Sequence, residues 1–516
     1  MKYIALTLGP IVRTIEMAEN TRSLWAASYL FSYLGKKIIL PFKDRKFLLP
    51  YISNEMFDKT FNGAGVFPDR YIFKAEEGDF DKLSNHVSAV IHELAVSIRG
   101  EINGDEKEIE DYLKRYFKVY FFEKDFKISD EKEIKASCEK ALALLEMQDS
   151  IVPKVVDSKL FLNRLFDRVT DSFLAKDAGL GGGFSTIVKI SSGDNVETPQ
   201  HPYQRYIAVV KADGDSMGKA FEDAADANKL SQALFEFNKQ AVEIIHAYYG
   251  LPVYIGGDDL LFFAPVYTPE KKKSFFSLLQ ELDDAFHTSI KTTGLVEHPT
   301  LSFGVSITYY KYPMFEALGL ADDLLTQAKA GTGEKPLKNN IVFSVQKHSG
   351  QTRAALLHKG NIKTLEEFNS LVDYYLNKVE KSENEKPGED KADEKKILSS
   401  VMHGLREKEF LLLVAIKGEK TLKNYFDNNF NESGHEQYGK FFESIRKLLL
   451  TAYQEFSEPD KLDRLGKSIP ASMMVKDPVK GESIPTPEKV AIETAYNALQ
   501  LIHLINQRND ERDENI

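Results

Sequence analysis

The sequence contains one cysteine, Cys138, so it can form neither an internal disulfide nor a zinc site of four cysteines or of two cysteines and two histidines. Its 11 histidines are scattered, with no HExxH and no adjacent His-Asp pair. A reducing cytoplasm suits that usage. No run reaches about eighteen apolar residues, the length a membrane helix needs. The opening MKYIALTLGP lacks a charged leader followed by an apolar run and a cleavage site. A soluble, untargeted cytoplasmic protein with no membrane contact is therefore expected. Positive charge is not in excess either: 67 Lys and Arg face 78 Asp and Glu, for a net charge of -11. A chain that wrapped nucleic acid over its whole surface would be basic, so contact with RNA or DNA is expected to be local or shared with neighbouring subunits.

What is present is ample core material, with 42% hydrophobic residues, 34 Phe and 23 Tyr in 516 residues, more than one core usually serves. Tyr3 to Leu8 reads as a strand, Gly9-Pro10 as a break and Ile11 to Leu34 as a helix, the opening of an α/β unit. A second strand is expected at Lys37 to Pro41, and the segment 63–73, GAGVFPDRYIF, continues this first domain, residues 1–90. Residues 91–198 are rich in amphipathic charged patterns, such as Glu101 to Lys114 and Asp130 to Glu146, and read as a mainly helical connector. Glycines 179, 181, 182 and 183 mark a break, after which FSTIVKI has strand character. Residues 199–350 carry the clearest order: strand, helix, strand, strand, helix, strand, then one further helix and strand. Residues 351–396 read as a helix and a charged linker, and 397–516 as an all-helical domain.

Two signals meet in the third segment, KADGDSMGK at 211–219 and YIGGDDLLFFAP at 254–265. In a palm fold the end of the first strand and the turn of the central hairpin lie side by side, which brings Asp213 to Asp258 and Asp259. Converging carboxylates repel unless cations neutralise them, and hard oxygen ligands suit Mg²⁺ or Mn²⁺, two ions in the phosphoryl-transfer arrangement. Gly256 and Gly257 allow positive φ in a tight hairpin and leave room for a nucleotide. Gly214 and Gly218 flank Ser216 at a turn into a helix, where free N–H groups can receive phosphate. Asp215 has two readings, ligand or helix cap. Lys219 and Lys329 are candidate triphosphate contacts.

These residues resemble the large palm-domain subunit of type III-B, or Cmr, CRISPR effector complexes. The resemblance rests on DGDSMGK at 213–219 and GGDD at 256–259, with SFGVSITYYKYP at 302–313, QAK at 327–329, LKNNIVFSVQKHSG at 337–350, SLWAASYLFSYL at 23–34 and FPDR at 67–70. It implies an α+β fold of two facing ferredoxin-like palms, the first inactive, with a helical connector and a C-terminal helical bundle. It implies metal binding by Asp213, Asp258 and Asp259, and a nucleotide site that includes Gly214, Asp215, Ser216, Lys219, Gly256, Gly257, Ser302 and Lys329. The implied activity starts when guide crRNA pairs with target RNA. ATP is then joined into cyclic oligoadenylate, or its AMP is attached to S-adenosylmethionine. Partners would be other Cmr subunits, with a small helical subunit on the C-terminal domain.

Three departures matter: no His-Asp pair for the nuclease domain of many relatives, no four-cysteine zinc site, and GPIVRTI and SLWAAS in the first palm, with Val12, Thr14, Ser23 and Ala27 in place of typical residues. The last leaves room for an altered acceptor pocket. A catalytically silent scaffold subunit and a stand-alone GGDEF-like dinucleotide cyclase are the alternatives.

Overall fold

The computed structural model describes the chain apart from residues 19, 103–104, 148–172, 181–185, 194–198, 200, 225, 269–272, 347–351, 361, 386–389, 431–437, 477–480 and 506–516. Most of the expected glycine break, residues 181–183, lies outside the described residues.

Strand β1 (Lys2–Gly9) is covered on both faces: Ile4, Leu6 and Leu8 enter one core, Tyr3 and Ala5 another, the two-residue alternation of a strand. Helix α1 (Thr21–Ile39) starts at a reciprocal cap, Ser23 N–H donating to Asn20 Oδ1 at 2.8 Å and Asn20 N–H to Ser23 Oγ at 3.0 Å. This cap divides the single expected helix, whose first part is the short helix Ile11–Glu16. The strand expected at Lys37 to Pro41 is instead the end of α1, because Leu34 and Ile38 continue its buried face at helical spacing. β2 (Phe47–Leu49), β3 (Arg70–Lys74), α2 (Asp79–Ile102), α3 (Glu106–Tyr116), β4 (Lys118–Asp125) and α4 (Glu131–Glu146) follow. The segment read as a helical connector thus supplies β4, which pairs along all of β1. The sheet order is β2-β3-β1-β4, antiparallel throughout. α4 covers one face through Ile134, Cys138 and Leu142, a stripe at i, i+4, i+8. Cys138 is therefore a buried core residue.

The described part of FSTIVKI, residues 186–190, is not a strand: Ile187–Ser192 is a short helix, with Thr186 Oγ1 accepting from Lys189 N–H and Gly193 left-handed at its end.

The second sheet is built from β5 (Tyr206–Gly214), β6 (Leu251–Gly256), β7 (Asp259–Pro265), β8 (Leu301–Tyr309), β9 (Asn340–Gln346) and β10 (Thr352–His358). Its helices are α5 (Met217–Asp223), α6 (Ala227–Ala247), α7 (Phe275–Lys291) and α8 (Met314–Ala328). The order β10-β9-β8-β5-β7-β6 contains the ferredoxin-like arrangement, and the first sheet has the same one. β8 and β9 are parallel, and the other pairs are antiparallel. β10 extends this sheet beyond residue 350, since the apolar run Ala355–Leu357 pairs with β9.

The rest is mainly helical: α9 (Ile362–Glu385), α10 (Asp390–Glu407), α11 (Glu409–Ala415), α12 (Glu419–Phe430), α13 (Gly439–Phe456) and α14 (Pro487–Ile505), with a ribbon of Met474–Lys476 and Ser483–Pro485. The charged stretch expected as a linker is mostly helix, the ends of α9 and α10. One core joins this region to the second sheet, where Phe276, Phe343 and Phe368 interlock. The two palms meet through Tyr51 N–H to Ser231 Oγ at 2.8 Å, Asn228 Nδ2 to the Phe47 carbonyl at 3.4 Å and His246 Nε2 to the Asn62 carbonyl at 3.0 Å. No described helix is long and apolar enough to cross a membrane.

Candidate active site

β5 runs beside β7 and β8, with Asp213 opposite Ser302 and Gly214 opposite Leu301. The β6–β7 hairpin closes at Gly256 opposite Asp259, and Gly257 takes φ +62, the left-handed conformation its turn requires. The two motifs touch. A Cβ placed on Gly214 would stand 2.7 Å from Asp258 Cβ and 2.6 Å from Met217 Cγ, so only glycine lets the end of β5 pass under the hairpin turn.

Asp213, Asp258 and Asp259 are brought together, and Lys329 joins them. Its ammonium, at the end of α8, donates to Asp213 Oδ2 and to the Gly214 carbonyl at 3.0 Å. Burial, the facing Asp213 carboxylate and a hydrogen bond to it push the Asp258 pKa up to about 6, against the pull of Lys329. Asp259 looks out at the crevice mouth, yet the crowded walls and the neighbouring Asp258 and Asp213 push it up to about 7.

Other sequence candidates lie elsewhere. Asp215 is 3% exposed, and its Oδ2 accepts from Thr300 Oγ1 at 2.7 Å, Ser302 Oγ at 2.8 Å and Asn339 N–H at 2.9 Å. It ties the end of β5 to the strands beside it. It does not cap α5, whose first turn follows Ser216 at φ +61 with no side-chain cap. Ser302, on the same sheet face as Asp213 opposite it, is fully buried and donates to Asp215. Lys219 is exposed and paired with Glu297 at 2.6 Å. Gly218 has open space around it.

Two residues here were not singled out from sequence. Asn238 is a polar residue on the buried stripe of α6, beside Leu234, Ala241 and Val242. With its amide oriented to satisfy both partners, it donates to the Gly257 carbonyl and accepts from Gly257 N–H, each at 3.0 Å. A lone Asn among apolar helix positions was the signal. Asp69, in FPDR, brings a further carboxylate from the first palm. Its pKa is raised by burial against the pull of Arg70, and its charge reaches Tyr254 and Asp259. Between the palms lies a cavity of about 190 Å³, walled by Pro68, Arg70, Leu234, Phe235, Asn238 and Asp258.

Among the described residues no three His, Cys, Asp or Glu side chains are grouped to enclose a metal ion. The donor chemistry nevertheless fits a hard divalent cation: two carboxylates share a hydrogen bond, which a divalent cation would replace, and Lys329 already holds a positive charge between Asp213 Oδ2 and the Gly214 carbonyl.

Comparison with known proteins places these features. The family model for the Cas10/Cmr2 second palm domain matches residues 206–341, from the first residue of β5 into β9. The model for the N-terminal part of the CRISPR-associated protein Cmr2 matches residues 3–118. Together the two matches support a large subunit of the Cmr2 type. The Cmr2 subunit of the CRISPR Cmr system of Pyrococcus furiosus is 27% identical over 221 residues, 41% of this chain and 23% of that relative, so the match spans about a quarter of the relative's length. The fold agrees with chains of type III-B Cmr-beta seen by cryo-EM. In the apo state the TM-score is 0.50 at 12% identity, covering 83% of this chain and 77% of the other. Bound to cognate target RNA it is 0.54 at 10% identity, covering 97% and 83%. The segment matched to the second palm is the one that carries Asp213 and the GGDD turn.

Proposed function

We propose that this Cas10/Cmr2 chain is an RNA-activated nucleotidyltransferase, which makes a signalling nucleotide from ATP within a type III-B antiviral complex. The observation that carries this reading is the meeting of Asp213 and Asp258, at the end of β5 and the hairpin turn, with Lys329 beside them in a crevice that the first palm closes. An acceptor hydroxyl oxygen forms a bond to the α-phosphorus of ATP, the bond to the β-phosphate oxygen breaks, and pyrophosphate leaves while the hydroxyl proton passes to solvent. Asp213 and Asp258 would hold Mg²⁺ or Mn²⁺, with Asp259 assisting at the second of two ions. Divalent ions supply charge neutralisation and an acidified hydroxyl when bound. Lys329, drawn off Asp213, is placed to meet the triphosphate. The first palm seats the acceptor, and Asn238 fixes the Gly257 turn so that Asp258 stays aimed.

Two acceptors are open, a second ATP leading to cyclic oligoadenylate, and S-adenosylmethionine. The Asp69 carboxylate, near Asp259 and Tyr254, favours a cationic acceptor over a second triphosphate, an argument separate from Thr14, Ser23 and Ala27, which are buried within the first palm.

Partners under this reading are guide crRNA, target RNA and other Cmr subunits, supported by the RNA-bound Cmr-beta relative. A small helical subunit would dock on α11, where Phe410 and Val414 are 67% and 70% exposed. The test is mass spectrometry of what the complex makes from ATP, with and without S-adenosylmethionine and target RNA. RNA-dependent product, lost in the Asp258→Ala, Asp259→Ala double variant while assembly persists, supports the enzyme. No product from an assembled complex leaves the scaffold reading, and product from GTP by the chain alone leaves the stand-alone cyclase.

A further inference from the structure

The cavity beside Asp258 adjoins a chamber of about 900 Å³, and the two share Tyr51, Glu139 and Phe221 as walls. The chamber lies between α4 of the first palm and α5 with the start of α6 of the second. Of the basic residues that line it, Arg45 is paired with Asp79 and Glu76, Lys46 with Glu131, and Lys132 donates to the Glu222 carbonyl at 3.1 Å.

Lys135 differs. It is only 8% exposed, and its ammonium rests over the Phe221 ring at 4.7 Å. The nearest carboxylate oxygen, on Glu139 one turn along α4, is 3.9 Å away, beyond hydrogen-bond reach. An ammonium has three N–H donors and no acceptor capacity, and those of Lys135 meet the chamber it lines rather than a close protein carboxylate. Burial lowers the Lys135 pKa, against the opposing pull of Glu139 and Glu222, and burial raises that of Glu139. A structural lysine at this depth would close onto its glutamate. This one instead leaves its donors open to a chamber that continues to the reacting carboxylates.

We propose that Lys135 and the chamber it lines form a second substrate subsite, which seats an oxyanion carried by the acceptor or by the growing product. This rests on the reading that the neighbouring crevice transfers nucleotides. The oxyanion has two possible sources, the phosphate of a linear adenylate or the carboxylate of an amino-acid-bearing nucleoside. The second would also offer an amine to Glu139.

The test is calorimetric titration of the full chain, without divalent ions, using three probes: 5′-phosphorylated linear diadenylate, S-adenosylmethionine and adenosine, which carries no oxyanion. Lys135→Met should weaken at least one of the charged probes about tenfold or more, as loss of a charge-assisted hydrogen bond does, and leave adenosine unchanged. Lys135→Arg should keep most of the affinity. Loss confined to the diadenylate assigns the phosphate. Loss confined to S-adenosylmethionine, shared by Glu139→Gln, assigns the amino-acid head. Lys135→Gln replaces the Met variant if a melting curve shows that one unfolded. The subsite is overturned if all three probes bind the variant as they bind the unaltered chain, or if neither charged probe binds better than adenosine. Lys135-dependent binding in a chain whose complex makes no product would sink the transferase reading and leave the subsite standing. Product without Lys135-dependent binding does the reverse.

Discussion

At the scale of single residues, Asp258 and Asp259 hold protons to about pH 6 and about pH 7 because each sits in a crowded crevice beside other carboxylates. An aspartate in the unfolded chain gives up its proton near pH ~3.9. Below about pH 4 both states are protonated and the pair costs nothing. Between about pH 4 and pH 7 the unfolded chain loses these protons first, so stability falls as pH rises, and above about pH 7 the loss is complete. Asp258→Asn should therefore melt at least about 2 °C above the unaltered chain at pH 8 in EDTA, and level with it at pH 4. Manganese should raise the melting point of the unaltered chain and not of the variant. Equal melting at both pH values, checked by scanning calorimetry, would mean that the carboxylates do not repel. From sequence, the three aspartates were legible because spacing and order carry them. The bond between Asp215 and Ser302 was not legible, because nothing in DGD or SFG says which carboxylate is held by its neighbours. The local partners decide that: Asp215, just past the end of β5, is held by Thr300, Ser302 and Asn339, whereas Asp213 meets Lys329.

At the scale of elements, the hairpin turn depends on a helix distant in sequence. Asn238 satisfies both backbone groups of Gly257 from the buried stripe of α6. Asn238→Leu keeps the branching at Cγ and removes the hydrogen bonds, leaving two polar backbone groups unmet at a cost of about 1–3 kcal/mol each. The expected result is a transfer rate lowered ~10- to 100-fold with little change in KM for ATP, because the turn that aims Asp258 loosens. Asn238→Asp, which keeps an acceptor for Gly257 N–H, should recover part of the rate. A rate unchanged in Asn238→Leu would show that the turn holds itself. Elements with a strong period were readable, including β1, α6, α7 and β8. The failures have physical causes. Lys37–Pro41 is apolar enough for a strand, but Leu34 and Ile38 continue the buried face of α1. FSTIVKI is β-branched, yet Thr186 and Gly193 cap it as a helix. β4 was hidden among amphipathic helices because its pattern is only half-buried along its length.

At the scale of the whole molecule, the second sheet and the C-terminal helices share one core, so α9 to α14 buttress the second palm. α14 is buried along nearly all its length. Glu493 on it takes a bidentate pair from Arg406, whose guanidinium also stacks on Tyr496 at 3.7 Å. α11 sits on this frame with Leu412 and Ala415 turned inward and Phe410, Leu411 and Val414 turned out. Solvent-facing apolar residues grouped on one turn of a rigid support mark a contact surface more than a folding need. The Phe410→Glu, Val414→Glu double variant should therefore melt within about 2 °C of the unaltered chain. It should lose co-purification with the small helical subunit while the crevice between the palms still binds ATP. A variant that unfolds would assign α11 to the core, and one that still assembles would move the docking surface elsewhere on the bundle. Retained ATP binding together with lost assembly is the combination that separates the proposed contact surface from the proposed site, because Phe410 and Val414 are exposed on α11 while the cavity beside Asp258 is walled by the two palms.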